Sequence, residues 1–222
     1  MVTIIDYGIG NLRSIEKAFE AVGAEVRRTD DPAHLAEATH LVLPGVGAFG
    51  ACADEIRRRN LEAPIRAYVA TGRPFLGVCV GMQLLFDASN ERGHHEGLRL
   101  LPGRVVRFAT QGVLTSAGEA VPAETMAAEK PLKVPHMGWN TVHFREPSPL
   151  IEGLPDEAYF YFVHSYHVVP TTPTDVLGAT DYGGSFPAIV ARNNVYGVQF
   201  HPEKSQTNGL RILRNFAALS VA

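Results

Sequence analysis

The residues best suited to do chemistry are a cysteine, a histidine and a glutamate that stand far apart in the chain. Cys79 lies in Gly77-Val78-Cys79-Val80-Gly81, after the apolar run Pro74-Phe75-Leu76 and before Met82-Gln83-Leu84-Leu85. A strand that enters Gly-x-Cys-x-Gly and leaves as a helix is the thiol form of a nucleophile elbow. The glycines have a physical reason: side chains two residues either side of a sharply turned nucleophile collide with the adjoining strand and helix. The turn also sets the sulfur at a helix N-terminus, where the positive end of the dipole favours thiolate. Cys52 has no such surroundings and reads as a small buried hydrophobe within a helix.

A thiol nucleophile needs a base. Of nine histidines, His201 is the one delivered by a strand pattern, Val195-Tyr196-Gly197-Val198-Gln199-Phe200, and Pro202-Glu203 follows it. Cys79 and His201 are 122 positions apart, a gap that a doubly wound sheet closes by placing their strands side by side. Glu203 is then positioned to hold the imidazole and stabilise its cation. Pro44-Gly45-Val46-Gly47-Ala48-Phe49 follows another strand pattern, and its glycines leave the peptide groups free to face a neighbour. We assign the oxyanion donors to the backbone N–H groups of Val46 and Val80.

The elements that must position these groups alternate in type through the first half. Residues 2–6 read as a buried strand; Leu12, Ile15, Ala18, Phe19 and Val22 recur at helical spacing. Further strands are expected at 24–28, 40–43 and 74–78, with one or two helices over 51–71 interrupted at Pro64, and a helix over 80–88. This alternation predicts an α/β fold with a central, mostly parallel, flavodoxin-like sheet flanked by helices. The second half is richer in strands, expected at 104–108, 139–144, 159–163, 176–180, 188–192 and 195–200. Asn193-Asn194 marks a hairpin turn, and 206–219 an amphipathic closing helix. Residues 109–129 carry few large apolar groups and read as a mobile surface insertion within one domain spanning 1–222.

Composition narrows the function. The 222 residues are 45% hydrophobic, enough for a full core, and 20 Lys and Arg against 23 Asp and Glu give a net charge of −3. No basic block tracks a phosphate backbone, so nucleic-acid binding is not expected. No apolar stretch approaches a bilayer span, and the N-terminus lacks a signal-peptide pattern, so a soluble cytoplasmic protein is expected. Two cysteines make no disulfide framework, although one bridge is not excluded by counting. Gly8-Ile9-Gly10 suggests a dinucleotide fingerprint, but Arg13 stands where the third glycine belongs. His94-His95-Glu96 reads as solvated loop rather than as a metal site, because adjacent side chains diverge and no further ligand falls at a zinc-like spacing. Trp139 reads as interface or core. No metal or cofactor is expected.

The motifs together resemble the class I (triad) glutamine amidotransferases, and most of all the glutaminase subunits of imidazole glycerol phosphate synthases. The resemblance covers nearly the whole chain: Ile5-Asp6-Tyr7-Gly8-Ile9-Gly10-Asn11-Leu12, the Pro44 to Phe49 motif, the elbow, Pro135-His136-Met137-Gly138-Trp139-Asn140, Phe162-Val163-His164-Ser165-Tyr166 and Gly197-Val198-Gln199-Phe200-His201-Pro202-Glu203-Lys204-Ser205. Met82, Met-Gly-Trp-Asn and His-Pro-Glu-Lys-Ser carry the subfamily signal. The resemblance implies that Cys79 attacks the side-chain amide of glutamine, that His201 protonates the departing ammonia and then activates water, and that Glu203 orients His201. It places glutamine binding at Gly47, Gln83, His164, Ser165 and Tyr166. Gln83, four residues after Cys79, would share its helix face.

It also implies a partner, a (β/α)8-barrel cyclase in a heterodimer, that takes up ammonia and releases imidazole glycerol phosphate and an aminoimidazole carboxamide ribotide in histidine biosynthesis. Hydrolysis should then depend on the partner, with the Gly45 to Gly47 peptides reorienting when the cyclase binds its ligand. Three other readings stay open: a glutaminase feeding another acceptor, such as pyridoxal phosphate synthesis; a non-catalytic partner-binding subunit; and a cysteine peptidase of related fold.

Overall fold

The computed structural model describes residues 1–109 and 132–221. Strands covered on both faces are near-continuous apolar runs, and such runs centre the sheet: β1 (Val2–Ile5), β3 (His40–Gly45) and β4 (Phe75–Cys79) are buried at every position. Together with β2 (Val26–Thr29) and β13 (Val195–Val198) they form a parallel region ordered β2-β1-β3-β4-β13. The sheet continues through antiparallel β12 (Ser185–Arg192), β11 (Val176–Asp181), β8 (His136–Phe144) and β9 (Glu157–His164). The expected α/β class, with its strand-rich second half, is observed. A smaller sheet, ordered β10-β7-β5-β6, combines β5 (Ala88–Ser89), β6 (His95–Glu96), β7 (Gly103–Arg107) and β10 (Tyr166–Pro170).

Helices cover the parallel region: α1 (Leu12–Ala21), α2 (Pro32–Glu37), α3 (Phe49–Arg58), α4 (Glu62–Ala70), the single turn α5 (Val80–Gln83) and α6 (Gln206–Ala217). The apolar stripe of α1 (Ile15, Ala18, Phe19) meets that of α6 (Ile212, Leu213, Phe216), with the Phe19 and Phe216 rings 6.2 Å apart. The Asn193-Asn194 hairpin is present: Arg192 pairs with Val195, and Asn193 takes φ 53°. Among the described residues no helix is long and apolar enough to cross a membrane. From residue 110 onward, the expected 109–129 insertion lies outside the described residues.

Three expectations change. The break in 51–71 falls at Asn60, with φ 56°, and not at Pro64. Pro64 sits in the first turn of α4, where a missing N–H costs no intrahelical bond. The helix expected over 80–88 stops after Gln83. The carbonyls of Leu84 and Leu85 instead accept the N–H groups of Leu98, Leu100 and Leu101 at 2.7–2.9 Å, so a returning segment replaces the next helical turn. Finally, His95 is not free in a loop. It pairs in β6, and its ring lies so close over α3 that a Cβ added to Gly50 would stand 2.5 Å from it.

Candidate active site

The elbow forms as expected, with a strained centre. Cys79 ends β4 and caps α5 at φ 55°, ψ −113°, a conformation that L-residues rarely adopt and that is held only by its surroundings. A Cβ on Gly81 would lie 1.9 Å from the Leu43 carbonyl oxygen of β3, and one on Gly77 would lie 2.5 Å from the Gly81 oxygen. Both cysteines are free and buried.

The His201 imidazole arrives through strand pairing. β13 runs parallel to β4 with Val198 opposite Val78, so the chain leaving β13 emerges beside Cys79 at the carboxyl edge of the sheet. Cys79 lies on one side of His201 and acts on its protonation. The His201 Nδ1 meets Glu203 Oε1 at 3.0 Å on the other, and both side chains are buried. Burial by itself would lower the His201 pKa. The hydrogen bonds and charges of Cys79 and Glu203 outweigh it and push the value up to about 10, favouring an imidazolium. Glu203 Oε2 is buried with no partner among the described residues, so no other donor shares the carboxylate with His201.

The oxyanion candidates flank the sulfur. Val80 is the first residue of α5, so its N–H has no intrahelical acceptor. Gly45 pairs with Cys79 in register, bringing Val46 and Gly47 alongside, and Gly47 has φ 83°. Two buried side chains anchor this loop by its carbonyls: Tyr7 Oη donates to Pro44 O at 2.7 Å, and Cys52 Sγ to Val46 O at 3.4 Å. Burial and the nearby thiols keep the Tyr7 phenol protonated. Glu91 Oε2 accepts from Phe49 N at 2.7 Å and secures the start of α3.

The expected substrate residues are drawn to the same edge with different exposures. Gln83 is buried; its Nε2 donates to Tyr166 O and to Gln199 Oε1, both at 3.0 Å. Ser165 forms the bend between β9 and β10, and its carbonyl accepts from Phe108 N at 3.0 Å. His164 points inward: its Nδ1 meets Tyr166 O at 2.8 Å and its Nε2 meets His136 Nδ1 at 2.9 Å, among the rings of Phe108, Phe162 and Phe186. Burial lowers the pKa of His164 to about 3 and those of His136 and His167 to about 4, so all three are neutral. With both ring nitrogens of His164 occupied, a ligand would meet the backbone of this bend instead of its imidazole.

Gln199 and His136 were missed as functional candidates. Their signal was a polar side chain inside, or at the start of, an otherwise apolar strand.

The chain matches the family model "Glutamine amidotransferase class-I" over residues 3–219. It is 61% identical to the imidazole glycerol phosphate synthase subunit HisH of Salinibacter ruber, covering 99% of this chain and 94% of that protein. Identity to the subunit HisH of Syntrophotalea carbinolica is 53%, over 97% of this chain and 98% of the other. Among solved structures, PurLQS from Thermotoga maritima superposes with a TM-score of 0.71 at 18% identity, covering 97% of this chain and 96% of that chain, a likeness of fold. The chain belongs to the class I glutamine amidotransferases and, within them, to the HisH subunits of imidazole glycerol phosphate synthase.

Proposed function

We propose that Cys79, His201 and Glu203 hydrolyse glutamine to glutamate and ammonia and that the ammonia is passed to a cyclase partner. The observation that carries this is the parallel pairing of β13 with β4, which sets a buried His201–Glu203 pair beside a strained cysteine. The Cys79 thiolate attacks the side-chain carbonyl carbon of glutamine, and the N–H groups of Val80 and Val46 meet the developing oxyanion. The His201 imidazolium then gives its proton to the departing nitrogen, releasing ammonia and leaving a thioester. His201, now neutral, takes a proton from water; the hydroxyl adds to the thioester and expels the thiolate, giving glutamate. Glu203 keeps the imidazole oriented and stabilises its cation. Gly47, Gln83 and the Ser165-Tyr166 bend line the substrate side. The chain acts as one unit over 1–222.

The relatives' names specify a synthase subunit, and we assign the partner as a (β/α)8-barrel cyclase that closes the imidazole ring in histidine biosynthesis. A docking face supports this reading. Met137 and Trp139 of β8 and Tyr159 of β9 are 62%, 47% and 60% exposed on one face of the sheet edge. Tyr161, on the same face, packs edge-on against Trp139, lies under Lys204 Nζ at 5.7 Å, and accepts the His201 N–H through its carbonyl at 2.9 Å. A partner seated there is one residue from the base. On this reading the Gly45 to Gly47 peptides turn to complete the oxyanion hole when the cyclase binds its ligand. Glutamine hydrolysis measured with and without cyclase and its ligand tests it: strong stimulation is expected, and equal rates would remove the partner dependence. Comparing glutamine with peptide substrates excludes or revives a peptidase.

A further inference from the structure

We infer that Gln199 is a further catalytic residue, whose side-chain N–H is aimed at the Cys79 sulfur because Gln83 donates one amide proton to Tyr166 O and the other to Gln199 Oε1. The inference rests on the glutaminase reading for its purpose but not for its test.

The direction of every link follows from groups that can act in only one way. Tyr166 O is a carbonyl and only accepts, so the Gln83 atom 3.0 Å from it is the amide nitrogen. The second proton of that nitrogen goes to Gln199 Oε1 at 3.0 Å. Gln199 must therefore turn its own nitrogen the other way, where the Cys79 sulfur lies 3.9 Å away. Gln199 is fully buried in the segment between β13 and His201, and its backbone N–H is bound to Ala188 O at 2.9 Å, so its side chain has no solvent route to another partner.

A second run of hydrogen bonds reaches the same carbonyl from strand β8 and confirms it as an acceptor. Asn140 Nδ2 donates to Asp181 O at 2.9 Å, which identifies it as nitrogen, so the His136 Nε2 that lies 3.2 Å from it accepts. His136 Nδ1 then donates to His164 Nε2, and His164 Nδ1 donates to Tyr166 O. Both runs thus converge on the same carbonyl. The run from β8 starts beside the exposed Met137 and Trp139 and stops at Tyr166 O, whereas the run through Gln83 and Gln199 ends on the nucleophile. An N–H facing sulfur stabilises thiolate over thiol, and 3.9 Å leaves room for the contact to tighten as charge develops.

The test uses iodoacetamide, a small alkylator that reads thiolate reactivity without a glutamine site, so failure of the substrate assignment would leave it intact. Gln199→Met keeps the volume and removes the donor. We expect Cys79 alkylation at neutral pH to slow by about tenfold, equivalent to about 1.4 kcal/mol, and glutamine kcat to fall in parallel with little change in KM. Gln83→Met, which leaves Gln199 in place but frees its orientation, should slow alkylation by a smaller factor. Gln199→Glu, assayed at the same neutral pH, retains an oxygen that accepts from Gln83 but replaces the N–H with a carboxylate that opposes the thiolate, and should lose at least as much as Gln199→Met. Wild-type alkylation rates in whichever Gln199 variant keeps its circular dichroism would overturn the inference. Loss of the fold in both would also overturn it, because the residue's role would then be structural.

Discussion

Gly81→Ala isolates the geometry of the elbow from its chemistry, since no reacting group is altered. An alanine Cβ there would stand 1.9 Å from the Leu43 carbonyl oxygen and 2.9 Å from its carbon, both backbone atoms of a fully buried strand. Ordinary contact begins at 3.4 Å, so relief requires a displacement of about 1.5 Å. β3 is held between β1 and β4, so the single turn α5 must move, carrying Val80 and Cys79 with it. Overpacking on this scale costs about 3 kcal/mol, which for a chain of this length lowers the melting temperature by roughly 6–12 °C. A misplacement of about 1 Å near reacting groups costs on the order of 100-fold in rate, so kcat for glutamine should fall at least that far. Thermal melts and steady-state glutaminase assays with the partner present read the two effects. A variant within about threefold of wild-type kcat and about 2 °C of its melting point would refute the steric argument.

Glu203→Gln should keep the fold and glutamine KM while lowering kcat by roughly 100-fold or more, as steady-state kinetics would show. The same variant should alter stability at high pH. His201 has a folded pKa raised to about 10 from 6.5, so its contribution is fully present below about 6.5 and is lost as pH rises through about 10. Melting curves of wild type should decline across that window, and those of Glu203→Gln should be flatter. The buried histidines act in the opposite sense: His136, His164 and His167 have folded pKa values lowered to about 3–4, so the unfolded chain takes up protons first and stability falls as pH drops from about 6.5 toward 4. His136→Phe should reduce that acid sensitivity, measured by denaturant midpoints at each pH. Trp139→Ala should leave the melt unchanged and weaken cyclase binding by about 30-fold, equivalent to about 2 kcal/mol, in a titration of the two subunits.

The site was legible in the sequence where a backbone requirement forced particular residues. Gly77 and Gly81 could be read as steric necessities, and the structure places a carbonyl where each side chain would go. Pairing of the strand ahead of His201 with the strand ahead of Cys79 was likewise legible, because both are mostly apolar runs of the kind that central parallel strands require, with Gln199 the polar exception. What failed depended on tertiary partners. Leu84, Leu85 and Phe86 look like a continuing helix, but their carbonyls are taken by the segment at 98–101. The short α2 was missed although Asp31 caps it and Pro32 opens it, since six residues carry too little periodicity. Gln199 was passed over because its partners, Gln83 and Cys79, are more than a hundred residues away.

The claim on which all else depends is that Cys79 is the nucleophile and that its reactivity comes from His201. The direct measurement is to treat the holoenzyme with a glutamine-mimicking alkylator and map the modified peptide, in wild type and in His201→Asn. Labelling is expected at Cys79 alone, in step with loss of glutaminase activity, prevented by excess glutamine and strongly slowed by the His201 change. Labelling at Cys52, or labelling of Cys79 at an undiminished rate without His201, would contradict it.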